Sequence, residues 1–430
     1  MAKILMVGKG GFGDLFPLFA LAKELQVRCH EIRIAAESHH ASACSALQIP
    51  LTPLDHAAHA LPSHASTLRD SLWRLLPLDP AMRATLDPGH AEYEINALLP
   101  HMRDVDLVIG NQLAYSGVLA SRVLDRPWIF CAASPLAIPS AHDAPLWPYL
   151  QRMQRRTTRW GLPQRAYLPI ARWATRALMQ PQVRLRRRLG LADQGHPRFE
   201  GMYSQHLNLL MTSPVLAPAQ PDWPRNTVVT GFPWFDPAFL GGDDQEQEIV
   251  QFAQAGAPPV VFAPGGSKRT DPGTFFERSV EAARLSGRRS IIVAAKKFHS
   301  QFTPRPDMLV TGYFPYARLF HLASVVVHSG GIGALGWAMR YGVPSLLVPS
   351  DWDQFDNARR AEQSGVGTVL DITNYTAATI AHRLDAIAAD TAMHNNLSRM
   401  APCLALEDGS RVASDAVEQV LTGLCRPQAQ

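Results

Sequence analysis

Short aliphatic and β-branched runs alternate along this chain with stretches whose apolar positions recur every three or four residues. Ile4 to Val7 is the first run. Gly8-Lys9-Gly10-Gly11-Phe12-Gly13 follows it, and then Leu15, Leu18, Phe19, Ala22 and Leu25 recur at helical spacing, with Pro17 tolerated in the first turn. Ile32 to Ala36 reads as a second strand, and Asp106 to Ile109 and Trp128 to Cys131 as further ones. The pattern restarts with strands at Pro259 to Ala263, Ile291 to Ala294, Val325 to Val327 and Ser345 to Val348. A helix from Ala334 to Arg340, stopped by Gly342 and Pro344, separates the last two. The last forty residues carry helical spacing. Alternation of this kind predicts α/β architecture, two doubly wound Rossmann-like halves with parallel sheets. Pro214, Pro218, Pro221 and Pro224 mark 214–226 as the expected linker. That divides the chain into 1–213, 227–405 and a terminal helical segment 406–430.

Composition narrows the classes. With 430 residues, 47% of them hydrophobic and 18% charged, the chain can bury two cores and is neither disordered nor fibrous. A net charge of +4 does not call for nucleic acid. Cys29, Cys44, Cys131, Cys403 and Cys425 form no C-x-x-C pair, so free thiols are expected, not a disulfide frame or a metal site. A signal peptide is not expected from the N-terminal pattern, and no run of eighteen apolar residues offers a membrane span. A cytoplasmic protein is the expectation. His39, His40, His56, His59 and His64 lack ligand spacing and read as a solvated loop. Residues 152–188 hold eleven arginines and no acid, with Trp160, Tyr167 and Trp173 interleaved. They read either as a solvated helix face or as a basic amphipathic surface resting on the inner face of an anionic membrane.

The candidate chemistry sits at 325–357. Val325 to Val327 runs into His328-Ser329-Gly330-Gly331-Ile332-Gly333, which opens a helix. Glycines admit a ligand close to the backbone, and a helix start aims free N–H groups at it, so the loop suits a phosphate. The next strand delivers Asp351, Asp353, Gln354, Asp356 and Asn357, groups able to hold hydroxyls. Phosphate beside polyhydroxyl describes a sugar nucleotide; an ordinary βαβ unit with a glycine-rich turn is the plainer alternative. The first loop matches G-x-G-x-x-G, with Glu37 some way on, but one nucleotide needs one phosphate loop and the second is the better. Asp14, just after that first loop, is placed either to cap a helix beginning at Leu15 or to serve as a base in a cleft.

His328, Gly330, Gly342-Val343-Pro344, Pro349 and Asp353-Gln354 resemble the donor motif of inverting nucleotide-sugar glycosyltransferases of the two-domain GT-B fold, the UDP-glycosyltransferase superfamily. Together with Gly-Phe-Pro-x-Phe-Asp at 231–236 and Asp-Gln-Phe-Asp-Asn, the chain also resembles the rhamnosyltransferase subunits of rhamnolipid synthesis. The resemblance implies an N-terminal acceptor domain and a C-terminal donor domain facing a cleft, with the terminal helix crossing back to the first. It implies Asp14 as the base in place of the commoner histidine, and Phe12, Gly13, Asn111 and Ser134 on the acceptor side. On the donor side it implies Ser267, Tyr313 and Phe314, where relatives have Trp-x-Pro, and His328, Gly330, Gly331, Ile332, Gly333, Ala334, Asp353 and Gln354. No metal and no cofactor beyond the nucleotide sugar are implied. Gly336 stands where UDP-sugar enzymes of this kind carry a glutamate for the ribose hydroxyls. A buried carboxylate would reject a ribose that cannot pair it, so its lack suits a deoxyribose donor, a dTDP-sugar. The expected reaction is transfer of L-rhamnose from dTDP-L-rhamnose to a hydroxylated lipid. Transfer to a sterol, a polyketide or another natural product, a sugar-nucleotide epimerase, and a non-catalytic GT-B partner protein are the rivals.

Overall fold

The apolar runs become strands with almost no exposed residue, as parallel sheets covered on both faces require. The computed structural model describes residues 1–55, 87–147, 154, 166–192, 195–240, 243–265 and 272–425. Seven strands make the first sheet: β1 (Lys3–Val7), β2 (Glu31–Ala36), β3 (Leu51–Pro53), β4 (Leu107–Asn111), β5 (Trp128–Ala132), β6 (Leu207–Leu210) and β7 (Thr227–Val229), in the order β3-β2-β1-β4-β5-β6-β7. The second holds β8 (Val260–Ala263), β9 (Ser290–Val293), β10 (Met308–Thr311), β11 (Val325–His328), β12 (Ser345–Leu347) and β13 (Gly367–Val369), in the order β10-β9-β8-β11-β12-β13. Every pairing between these strands is parallel.

Both strand orders reverse once, and in an open α/β sheet the crevice forms where they do. In the first sheet the reversal falls between β1 and β4, in register Val7↔Gly110. In the second it falls between β8 and β11, with His328 beside Ala263. The two glycine loops leave β1 and β11, so topology alone puts both at crevices.

Six helices matter below: α1 (Phe12–Val27), α2 (Pro88–Met102), α3 (Tyr115–Val123), α4 (Ile332–Arg340), α5 (Gln354–Gln363) and α6 (Gly409–Cys425). Residues 214–226, expected to link the domains, instead join β6 to β7 inside the first sheet. The crossing comes afterwards, and its aromatics are shared between the halves. Phe235 packs on Phe16 and Phe19 of α1, while Trp234 packs on Trp337 of α4. The chain then returns. Ala413, Val417 and Leu421 of α6 lie in the core under α1, and Arg28 grips Asp415 at 2.6 Å and Glu418 at 2.8 Å. Glu407 pins outbound and inbound segments together. Its carboxylate accepts from Ser213 Oγ at 2.6 Å and from the Phe232 N–H at 2.9 Å, and the Gly409 N–H donates to the Phe232 carbonyl.

The basic stretch lies partly outside the described residues: Arg152, Arg155, Arg156, Arg159, Arg165 and Trp160 are beyond them, as are His56, His59 and His64. In the described part, Arg186 is buried and donates to the carbonyls of Gly195 and Pro197, and Arg172 pairs with Glu200. Trp173 is 80% exposed. Among the described residues no helix is long and apolar enough to cross a membrane, and no group of three His, Cys, Asp or Glu side chains could hold a metal. His40 is not solvated as expected. It is buried beneath Phe12 and Phe19, and its Nε2 lies 3.0 Å from the Gly10 carbonyl.

Candidate active site

The first loop is built to present Asp14. Gly10 has φ 102°, a conformation that favours glycine, and a Cβ there would stand 2.4 Å from Asp14 Oδ2. The helix begins at Phe12, not Leu15, so Asp14 occupies its third position and is not the cap. Its carboxylate folds back to accept the Gly11 N–H at 3.0 Å, and Gln112 Nε2 reaches its other oxygen at 3.4 Å. Burial, then the charge of Asp353 from the second domain, push the Asp14 pKa up to about 7 against the opposing Gly11 hydrogen bond. A carboxylate so placed can take a proton at neutral pH.

Lys9 and Asn111 hold the loop from behind. Asn111 is buried, accepts from the Lys9 and Leu113 N–H groups and donates to the Lys9 carbonyl at 2.8 Å. That occupies its amide with the loop, so Asn111 braces the backbone around Asp14. Lys9 Nζ pairs with buried Glu94 of α2 at 2.7 Å, and Glu94 also takes His90 at 2.9 Å and Ser116 of α3 at 2.6 Å. Burial alone would raise Glu94, but the His90 hydrogen bond and the Lys9 charge bring it down to about 2. Of the other acceptor-side candidates, Phe12 is half-buried against Phe16 and His40, and Gly13 is exposed with open space beside it.

The second loop is shaped by His328. Burial pushes its pKa down to about 3, so it is neutral at pH 7. Its Nδ1 accepts the Gly330 N–H at 3.2 Å, which leaves Nε2–H to face Ser345 Oγ at 3.1 Å. His328 therefore brings no positive charge to the loop, and both ring nitrogens are spent inside the protein. Gly330 has φ 90°, and a Cβ on it would press on the Gln354 carbonyl at 3.1 Å. Gly331 precedes α4, and neither it nor Gly333 has anything within 4 Å of a would-be Cβ. The N–H groups of Ile332, Gly333 and Ala334 begin the nine-residue α4, where helix starts leave donors unpaired.

A chain of polar contacts joins the domains at this point. Ser134, at the end of β5, donates to Asn357 Oδ1 at 3.2 Å. Asn357 Nδ2 donates to Asp353 Oδ2 at 2.8 Å and lies 3.1 Å from the Gly330 carbonyl. Burial raises the Asp353 pKa, with the hydrogen bonds of Asn357 and Ser134 opposing it. Gln354 turns its amide oxygen to the N–H groups of Ser350 and Asp351, at 3.0 and 3.1 Å. Behind them α5 is clamped to the first domain. Asp356 accepts from the Leu146 N–H at 3.0 Å and from Arg359 and Arg360, and both arginines reach Asp143.

The remaining donor-side candidates divide. Ser267 lies outside the described residues. Tyr313 is 37% exposed and open to a ligand, whereas Phe314 is wholly buried in the second core, so its ring cannot meet one. Gly336 faces Phe232, whose ring atoms come within 2.9 Å of a would-be Cβ. Asp143, Arg359 and Arg360 carry no local motif that marks them, because their partners lie far away in the chain, and the motif at 231–236 that contains Phe232 does not say that its ring meets Gly336.

Residues 286–417 match the family described as erythromycin biosynthesis protein CIII-like, C-terminal domain. The chain is 26% identical over 423 residues to glycosyltransferase GtfE of Amycolatopsis orientalis, covering 96% of each. Among solved structures it is similar to the calicheamicin glycosyltransferase CalG4, with a TM-score of 0.71 at 18% identity over 99% of this chain and 100% of that one. It is similar also to the spinosyn rhamnosyltransferase SpnG complexed with thymidine diphosphate, with a TM-score of 0.66 at 17% identity over 97% and 100%. The two crevice-facing parallel sheets and these likenesses show that the chain has the two-domain GT-B fold seen in glycosyltransferases.

Proposed function

We propose that this chain is an inverting sugar transferase that takes L-rhamnose from dTDP-L-rhamnose to the hydroxyl of a lipidic acceptor such as a hydroxyalkanoyloxy-alkanoate. The observation that carries the reading is Asp14: a carboxylate with a pKa near 7, held at a crevice and facing Asp353 of the other domain. The acceptor O–H gives its proton to Asp14 while its oxygen bonds to the anomeric carbon. The bond from that carbon to the diphosphate breaks on the opposite side, and the nucleoside diphosphate leaves with the electron pair. Donors fixed in advance at the start of α4 meet the charge that develops. His328 contributes by setting the loop, Asp353 takes sugar hydroxyls, and Tyr313 offers a face to the base. In this reading the first sheet, through β7, and its helices supply the acceptor side, and the second sheet, from β8 onward, with its helices supplies the donor side. Gly336, closed off by Phe232, supports a thymidine donor, as does the likeness to a rhamnosyltransferase seen with thymidine diphosphate.

A natural-product hydroxyl is the second acceptor reading, favoured by the likeness to the calicheamicin and spinosyn transferases. Purified protein offered dTDP-L-rhamnose and UDP-glucose in parallel, each with a hydroxy-fatty-acid dimer and a panel of hydroxylated natural products, separates them. Rhamnosyl product on the lipid, lost in Asp14→Asn, is the expected result. Better turnover of UDP-glucose than of dTDP-L-rhamnose would sink the donor assignment, and nucleoside diphosphate release without glycoside would sink the transfer.

A further inference from the structure

The turn that joins β12 to α5 holds its most awkward residue where a ligand would sit. The Gln354 N–H closes it on the Asp351 carbonyl at 3.1 Å, with Trp352 and Asp353 between. Trp352 takes φ 46°, and its own N–H donates to Asp351 Oδ1 at 3.2 Å. The first central position of a tight turn with positive φ is one that glycine fills freely and a bulky L side chain does not. The Gln354 amide oxygen and the Asp351 carboxylate both accept backbone N–H groups of this turn, so the strain is held in place by its surroundings and is not a loose end.

Core packing does not account for the indole. Trp352 belongs to none of the four apolar clusters and makes no ring pair, among the described residues. It is half-buried, flanked by buried Asp351 and by Asp353, whose carboxylate is tied through Asn357 to the phosphate loop. A large flat apolar face is thus kept, in a disfavoured backbone, next to a carboxylate that suits hydroxyls. Pyranoses present that pair of surfaces: hydroxyls at the rim and C–H bonds on one face.

We propose that Trp352 is a specificity-determining contact for the transferred sugar, its indole lying against the apolar face of a pyranose, a 6-deoxyhexose above all, while Asp353 takes the hydroxyls. This rests on the reading of 328–357 as a nucleotide-sugar site. A 6-deoxyhexose carries a methyl group where other hexoses carry a hydroxymethyl, so it gains most from an aromatic wall.

The test compares wild type with Trp352→Gly and Trp352→Phe. Calorimetry measures binding of dTDP, dTDP-L-rhamnose and UDP-glucose, and melting is followed alongside. The expected Trp352→Gly protein melts at or above wild type, binds dTDP within twofold, and loses tenfold or more in dTDP-L-rhamnose affinity, with Trp352→Phe between the two. An unchanged ratio of dTDP-L-rhamnose to dTDP affinity overturns the assignment, as does a lower melting point with parallel loss of both ligands. A wild type that binds no nucleotide at all brings down the underlying site reading, and this proposal with it.

Discussion

The ring of Phe232 occupies the space that a side chain on Gly336 would need, with Cε1 and Cζ 2.9 Å from a would-be Cβ. Phe232 belongs to the crossing between domains and Gly336 to the middle of α4, so the absent side chain at 336 is built into the packing between them. Gly336→Ala is expected to destabilise by about 1–3 kcal/mol, because the ring has to move. Phe232→Leu combined with Gly336→Ala should recover part of that loss. Urea denaturation midpoints check both, and additive losses in the double variant would show that the ring is not the obstacle.

Asp14 should govern the pH profile. A group with pKa near 7 that acts as a base makes kcat/KM rise as pH climbs through 7. Asp14→Asn should lower kcat by about 100- to 10,000-fold, the usual contribution of a general base, and remove that inflection. Stability carries the opposite sign. The folded pKa lies above the ordinary aspartate value of 3.8, so the native state holds a proton that the unfolded chain releases between about pH 4 and 7, and this group costs stability as pH rises through that window. Asp14→Asn should therefore melt above wild type at pH 8, with the gap closing by pH 4. A variant that melts lower at both pH values would mean that the carboxylate is chiefly a structural brace.

His328 should not titrate in the physiological range. With its pKa at about 3, its imidazole signals should stay constant between pH 5 and 8 by NMR. His328→Ala leaves the Gly330 N–H and Ser345 hydroxyl without their partner and should cost about 1–3 kcal/mol of stability. An imidazole that titrates near 6.5 would contradict its burial as a neutral ring.

Tyr313 and Phe314 are neighbours with opposite expectations. Phe314→Ala empties a fully buried site and should cost about 3–5 kcal/mol. Tyr313→Ala should leave the unfolding midpoint nearly unchanged while weakening dTDP binding by several-fold. Equal stability losses in the two would contradict the division made above.

The clamp on α5 offers a further check. Asp356 is wholly buried between two arginines, and removing one side of a buried ionic network typically costs about 3–5 kcal/mol. Asp356→Asn should show a loss of that order in urea titration, largely independent of added salt because the site is shielded from solvent. A loss that disappears at 1 M salt would mark the network as solvent-accessible.

Strands and helices were legible because their apolar spacing is local. Ile4 to Val7 and Val325 to Val327 announce buried parallel strands, and the glycines that follow announce loops with unusual backbone. The cluster 351–357 was visible as polar, yet nothing nearby in sequence says that Asn357 is the member that meets Ser134, 223 positions away. Burial was equally illegible for His328 and His40, since the residues that enclose them come from separate elements. Proline content misplaced the linker for a related reason. Prolines mark a segment without ladder hydrogen bonds, and 214–226 is such a segment, but the strand that follows completes the first sheet.

The return of α6 onto α1 has a consequence for anyone recombining this protein with its relatives. A half that the chain leaves near residue 231 and re-enters near 409 cannot be exchanged at one junction. A single-crossover chimera would pair a foreign α6 with the native α1, setting Arg28 against whatever replaces Asp415 and Glu418 and dividing the Glu407 clasp between two parents. Working hybrids should need two junctions, one on each side of that clasp, so that the terminal helix travels with the sheet it covers.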